Sequence, residues 1–245
     1  MLEYLRSLAD PMPQTSVYLA VTIGCMLASY LICGIPFGKI LGRVMGHVDI
    51  QKAGSGNIGT TNALRVAGPK VAALTLLFDV LKGVLCVNVA RLLIGATQGY
   101  DIVHTFEMVP EQGIGSLPLA FVCLTCLLGH IFTPYLRFHG GKGIATGVGV
   151  LFGLAWPLAL IHLAIFIVLV AATKYVSVGS IATALAVCVT VPLYFPQAGI
   201  AFQVVMAAMG LLVVWAHRSN IRKLLHGHES KLSFTKRVTK MDDAS

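Results

Sequence analysis

Residues 144–156 read IATGVGVLFGLAW, an apolar stretch rich in glycine and shorter than an ordinary membrane crossing, and the topology of the whole chain turns on whether it crosses. Its surroundings are uniformly greasy. Of the 245 residues, 56% are hydrophobic and 11% charged, and the mean hydropathy of +0.82 exceeds that of water-soluble domains. Such a composition defines an integral membrane protein. Runs near the ~20 residues needed to cross a bilayer lie at 17–38, 71–95, 116–136, 158–173, 177–195 and 199–216.

Charge decides the seventh run. The loop over 41–69 carries Arg43, Lys52 and Arg65 against Asp49 alone, whereas the connection over 95–115 carries Asp101, Glu107 and Glu111 with no lysine or arginine. The positive-inside rule puts the first in the cytoplasm and the second outside. Arg137 and Lys142 return to the cytoplasm, as does the tail over 218–240 with its seven lysines and arginines. An even number of crossings must separate those two regions, and four fit only if 144–156 spans. The expectation is therefore a single-domain (1–245), all-α integral membrane protein of seven transmembrane helices, N-terminus outside (periplasmic) and C-terminus cytoplasmic. The run at 17–38 lacks a strongly basic leader and is long enough to stay in the membrane, so it is kept as the first helix.

This topology gathers the polar clusters on one side: GSGNIGTTNALR (54–65), HGGKGIAT (139–146) and HRSN (217–220). In the first, Gly54, Gly56 and Gly59 free the backbone while Ser55, Asn57, Thr60, Thr61 and Asn62 supply short polar groups and Arg65 a two-pronged cation. In the second, Gly140, Gly141 and Gly143 surround Lys142 at a helix start, where amide donors and the helix dipole favour an anion. These are the groups that bind phosphate. Structural alternatives compete: a helix-capping loop for the first, an interfacial turn for the second. Asp79 and Lys82 in FDVLKG, three apart on one helix face, are either functional intramembrane charges or a structural ion pair. His217 and Asn220 share a face that can turn inward while Arg218, Arg222 and Lys223 meet lipid head groups. His130 and His162 read as packing residues with a satisfied hydrogen bond.

The formal charge of +8 does not indicate nucleic acid, because its cations flank the membrane. All six cysteines fall in apolar runs and read as small buried hydrophobes. Cys123 and Cys126 form a CxxC without a second ligand pair. Absent too are a nucleophile elbow, an HEXXH motif, a metal-binding carboxylate cluster and an HxxxxD pair. A mechanism here rests on positioning and electrostatics rather than a protein nucleophile.

SGNIGTTNALR, DVLKG, HGGKGIATGVG and HRSNIRKLLHGHESK, in this order and spacing over residues 34–231, resemble the bacterial acyl-phosphate:glycerol-3-phosphate acyltransferases, the PlsY family. The resemblance implies a seven-helix inner-membrane enzyme without metal or other cofactor. It would transfer a fatty acyl group from acyl phosphate, rather than acyl-CoA or acyl carrier protein, to the 1-hydroxyl of glycerol-3-phosphate. The products are 1-acyl-glycerol-3-phosphate (lysophosphatidic acid) and phosphate. Glycerol-3-phosphate contacts then fall on Ser55, Arg65, Lys142, His217 and Asn220, and acyl-phosphate contacts on Gly140, Gly141, Gly143 and Thr146. Catalytic roles fall among Ser55, Asn62, Lys142 and His217; Gly54, Gly56, Asn57, Gly59, Asp79, Lys82 and Gly83 complete the motifs. Thr60 departs from the family's usual alanine, and the outer loop over 98–115 is longer than expected. Membrane lipid is the expected surrounding, with a monomeric protein. The proton acceptor stays open among His217, Asn62 and the substrate's phosphate.

The acyl chain is expected in a cleft lined by LTLLF (74–78) and GVGVLFGLA (147–155), entered sideways from lipid. The rival function is transport of a phosphorylated metabolite, but transporters place their site near the midplane between matched halves. Here the polar groups gather at one face.

Overall fold

In the computed structural model, residues 12–99 and 116–232 are described. Asp101, Glu107 and Glu111, which set the outer side of the topology, and the basic residues beyond 232 lie outside them. The described residues form ten α-helices and no strand: α1 Met12–Gly34, α2 Phe37–Gly46, α3 Thr60–Val66, α4 Pro69–Ala96, α5 Ser116–Ile131, α6 Ile144–Leu154, α7 Trp156–Thr173, α8 Val176–Tyr194, α9 Ile200–Ala216 and α10 Arg218–Leu225. Each expected apolar run is helical. Leu85, Val89, Val168, Val189 and Leu193 project outward and exposed. A helix that stays apolar on its outer face is suited to hydrocarbon surroundings rather than water.

Five segments are long and apolar enough to cross a bilayer: Ser16–Gly46, Pro69–Ala96, Leu117–Leu136, Trp156–Thr173 and Val176–Tyr194; a sixth arises if α9 and α10, bent by 54°, count together. The seven expected crossings therefore reduce by helix length to five or six, and α6 makes the difference. With 11 residues it extends about 16 Å at 1.5 Å per residue, about half of a hydrocarbon core. The chain turns extended at Ala155 and enters α7 directly, with Pro157 in its first turn. Such a break frees carbonyls that lipid cannot satisfy. Arg91 of α4 meets this need: its guanidinium donates to the Leu154 carbonyl at 2.6 Å. Nothing in the local sequence around Arg91 signalled this.

Glycines set the closest approaches. A Cβ at Gly149 of α6 would lie 2.1 Å from the Val80 carbonyl of α4, one at Gly83 would lie 2.6 Å from the Thr146 carbonyl, and one at Gly129 of α5 would lie 2.2 Å from the Tyr30 carbonyl of α1. Helices in lipid gain little from apolar transfer, so close backbone packing at small residues carries their association. The cysteines are free and mostly buried; Cys33 and Cys86 sit with their sulfurs 3.8 Å apart in the core. Beneath the first polar loop lies a smaller apolar core of Ile50, Ile58, Ala63, Val71 and Ala72.

The two glycines of α6 differ in a way that can be tested. At Gly147 an added Cβ meets only Leu127, at 3.6 Å, an ordinary contact. Gly149→Ala should lower thermal stability in detergent by about 1–3 kcal/mol, while Gly147→Ala unfolds close to the wild type. Equal melting of both variants would mean that the α4–α6 contact does not limit stability.

Candidate active site

The first polar loop is folded around one side chain. Asn62, 2% exposed, accepts from the Ser55 amide at 2.9 Å. Its own amide faces the carbonyls of Ile50, Ala53 and Asn57 at 2.8, 3.1 and 2.9 Å. Asn57 in turn accepts from the Gly59 amide at 2.8 Å, an Asx turn that leads into α3. Gly54, at φ 62°, lies so close that a Cβ would be 2.3 Å from the Asn62 carboxamide oxygen. This loop has no room for another residue at 54. The result is a rigid turn that exposes Ser55 and leaves its hydroxyl free, while Asn62 is committed inward.

The GGKG turn rests on α5. Gly140 and Gly141 donate their amides to the carbonyls of Ile131 and His130 at 2.9 and 3.0 Å, so these two amides are not free for an anion as the sequence suggested. Their lack of side chains matters instead: a Cβ at Gly141 would sit 2.1 Å from Nε2 of the His130 ring. Gly143, at φ 86°, is the N-cap of α6. The free donors belong to the residues after the two glycines, at the start of α6, where the helix dipole favours negative charge. Thr146, in the first turn, has a buried hydroxyl without a partner.

The His130 ring is held from its other side. Lys82 donates to Asp79 at 2.7 Å, to the Ile35 carbonyl at 3.3 Å, and lies 2.9 Å from His130 Nδ1. All three titratable side chains are buried. Since the ammonium supplies the donor, Nδ1 is the acceptor here. The second motif is thus a structural charge cluster that joins α1, α4 and α5 under the GGKG turn. His130 belongs to it, and sequence alone offered no signal for its partner 48 residues away.

Lys142 projects from this turn to the C-terminal segment, hydrogen-bonding the Asn220 carboxamide oxygen. Asn220 donates to Glu229 at 2.8 Å, and Ser177 donates to the same carboxylate oxygen at 2.9 Å. Burial and the nearby Arg65 and Lys223 push Lys142 down to about 8, against an upward pull from Glu229. His217, just past the end of α9, is buried and bonds Val213 O through Nδ1 at 2.8 Å. Burial first, then Lys142, hold it down to about 4 despite the opposing hydrogen bond and Glu229. It is a neutral imidazole whose Nε2 is an acceptor. Arg65, Lys142, His217 and Asn220 are therefore near neighbours, whereas Glu229, in the quoted tail, was assigned no role from sequence. Arg218, Arg222 and Lys223 stay exposed, with Arg218 stacked on Trp215 at 3.9 Å.

Behind these side chains a narrow apolar groove with a cavity volume of about 50 Å³ runs among α5 to α9, lined by Leu127, Gly143, Gly147, Leu151, Phe166 and Met206 among others. The GVGVLFGLA half of the expected lining is present through Gly147 and Leu151. The LTLLF half is not: Leu76 and Leu77 face outward, and Phe78 stacks on Phe37 at 4.9 Å. Gly149 faces α4 and contributes nothing to the groove.

Fold and site together define a membrane-embedded helical protein with a cluster of cationic and polar side chains beside an apolar groove. The chain belongs to the glycerol-3-phosphate acyltransferase family, whose model matches residues 23–227. A glycerol-3-phosphate acyltransferase of Brucella anthropi is 40% identical over 217 residues, 88% of this chain and 96% of that relative. One of Mesorhizobium japonicum is 39% identical, covering 86% of this chain and 98% of the relative. Among solved structures, the integral membrane glycerol 3-phosphate acyltransferase PlsY (YgiH) superposes in its glycerol 3-phosphate form with a TM-score of 0.72 at 28% identity, covering 86% of this chain and 96% of that one. Its lysphosphatidic acid form gives 0.70 at 28% identity, covering 87% and 96%.

Two outcomes test this geometry. Lys82→Met leaves Asp79 buried without its partner and should cost about 3–5 kcal/mol in thermal unfolding, most of it recovered when Asp79→Leu is added. A single variant as stable as the wild type would show that the cluster is dispensable. Lys142 loses its charge above pH about 8 in the folded protein, against 10.5 when unfolded. Stability should rise between those values, because the unfolded chain then binds the proton that the folded chain has released. Inorganic phosphate binding should weaken over the same window, by up to about tenfold per pH unit. Phosphate affinity that stays flat in calorimetry across this range would remove Lys142 from the anion site.

Proposed function

We propose that the protein transfers a fatty acyl group from acyl phosphate to the 1-hydroxyl of glycerol-3-phosphate, at the cytoplasmic face of the inner membrane, as the first acylation of phospholipid synthesis. One observation carries this reading: Gly143, next to Lys142, lines the apolar groove. A substrate with phosphate at one end and hydrocarbon at the other fits that junction. The glycerol 3-phosphate and lysphosphatidic acid forms of the solved PlsY support it, as one substrate-like and one product-like head group on the same fold. We read α6 as a half-length crossing completed at Ala155, which restores seven passages and places the N-terminus outside and the C-terminus in the cytoplasm.

Acyl phosphate is a mixed anhydride that needs no acid to expel its phosphate. The barrier lies in bringing two phosphate-bearing anions together, which Arg65, Lys142 and the free amides of α6 offset. Ser55 and Asn220 orient glycerol-3-phosphate. Asn62, fully engaged by its loop, acts as a positioning residue and not as the proton acceptor. A histidine held at about 4 is a weak base, so His217 Nε2 accepts a hydrogen bond from the attacking hydroxyl. The oxygen attacks the acyl carbon, the carbon–oxygen bond to phosphate breaks, and the proton leaves on the phosphate released. The reaction calls on no metal or cofactor, and the protein acts as a monomer.

Purified protein in detergent or lipidic mesophase should release phosphate from acyl phosphate only when glycerol-3-phosphate is present. Arg65→Ala should raise the KM for glycerol-3-phosphate by more than about tenfold, and Ser55→Ala should be nearly inactive. Equal activity with acyl-CoA would sink the donor assignment; normal kinetics in both variants would make the first loop structural.

A further inference from the structure

The three helices joined by Lys82 carry a second cluster, one turn away, that the proposed reaction does not use. Cys33 of α1, Cys86 of α4 and Cys126 of α5 bring their sulfurs within 4.8 Å of one another, with Cys33 and Cys86 at 3.8 Å. All three are buried. Among the described residues this is the one group of three cysteine, histidine or carboxylate side chains close enough to share a single ion. Helix period explains its place: Cys86 lies four residues after Lys82 and Cys126 four before His130, so the thiols stack on the charge cluster. Sequence gave no sign of the grouping, because Cys123, the C-x-x-C neighbour of Cys126, is not a member of it. Sulfurs bound to one centre at about 2.3 Å lie no more than about 4 Å apart. Cys33 and Cys86 already meet that spacing, and the widest separation the three sulfurs allow exceeds it by less than about 1 Å.

We propose that Cys33, Cys86 and Cys126 form a binding site for a trivalent thiophilic centre, of the class of arsenic(III), held by three sulfurs. The donor set and its surroundings select this class. Structural zinc takes four ligands, and here there are three, since Asp79 and His130 are committed to Lys82. Copper(I) accepts three sulfurs, but three thiolates around one positive charge leave two negative charges in a low-dielectric interior, which is expensive. A trivalent centre on three thiolates is neutral. Its entry form is neutral too, because arsenous acid, As(OH)3, carries no charge near neutral pH. The exchange balances without a redox partner: three S–H and three As–O bonds break, three As–S bonds form, and three waters leave. The product ties α1, α4 and α5 together beside Lys82. This site takes no part in acyl transfer and does not rest on that reading.

The test titrates the purified full chain in detergent, kept reduced by a phosphine that does not compete for arsenic, with arsenite. Mass spectrometry of the intact protein should show one arsenic bound per chain with the loss of three hydrogens, and the melting temperature should rise with occupancy. Cys33→Ala, Cys86→Ala and Cys126→Ala each remove one arm of the chelate and should weaken binding by about a hundredfold. Cys123→Ala, also buried in α5, should bind as the wild type does. Wild-type protein that takes up no arsenic overturns the proposal, and this measurement needs no variant to fold. Unchanged affinity in any of the three variants, or an equal loss in Cys123→Ala, overturns it as well. Uptake of copper(I) with none of arsenite would overturn the trivalent assignment.

Discussion

The buried contact of Lys82 with Asp79 and His130 is the point on which the remaining geometry depends. Its ammonium faces a carboxylate, an imidazole nitrogen and the Ile35 carbonyl, so one side chain joins three helices. In a low-dielectric interior a lone ammonium would be prohibitively expensive; satisfied on three sides, it fixes where α1 ends, how α4 is rotated and how the His130 ring stands. That ring then forms the floor for Gly141, and the carbonyls of His130 and Ile131 take up the amides of Gly141 and Gly140. Lys142 and the start of α6 are consequently placed by a charge cluster buried behind the turn.

Rigidity of a second kind holds the other wall. The loop over 47–59 has few apolar residues of its own, and it is ordered from inside by the carboxamide of Asn62 and from below by α2, where a Cβ at Gly38 would lie 1.9 Å from the Ile58 carbonyl. Polar backbone at a membrane boundary must find partners or water. Asn62 satisfies one amide and, with its two N–H donors, the nearest of the three carbonyls it faces, which lets the loop expose Ser55 without fraying.

Much of this was legible in the sequence because the responsible signals are local. Hydropathy marks each apolar helix to within a few residues, and glycine with lysine or hydroxyl neighbours marks the two turns over 54–59 and 139–143. What stayed hidden involves distant pairings. Period alone cannot say which helix stands opposite another, so the Lys82 contact with His130, the Arg91 contact with Leu154 and the outward face of LTLLF were unreadable. Length alone does not decide α6, a helix of 11 residues. The half-length α6 resembles a weak crossing in sequence, and only its capping by Arg91 explains how a chain can stop there. The glycines at 140 and 141 were read for their amides, whereas their missing side chains are what the packing uses.

Glu229 balances the cationic cluster around Lys142 from one residue back. Arg65, Lys142 and Lys223 influence one another electrostatically, and burial alone already weakens the charge on Lys142, so a nearby anion is needed if the lysine is to stay protonated near neutral pH. A carboxylate paired directly with Lys142 would compete with phosphate for the same donors. Glu229 is set one residue back: it holds Asn220 through the amide nitrogen, and Asn220 presents its oxygen to the lysine. The carboxylate thereby supports the charge from a distance while only one of the three ammonium donors is occupied.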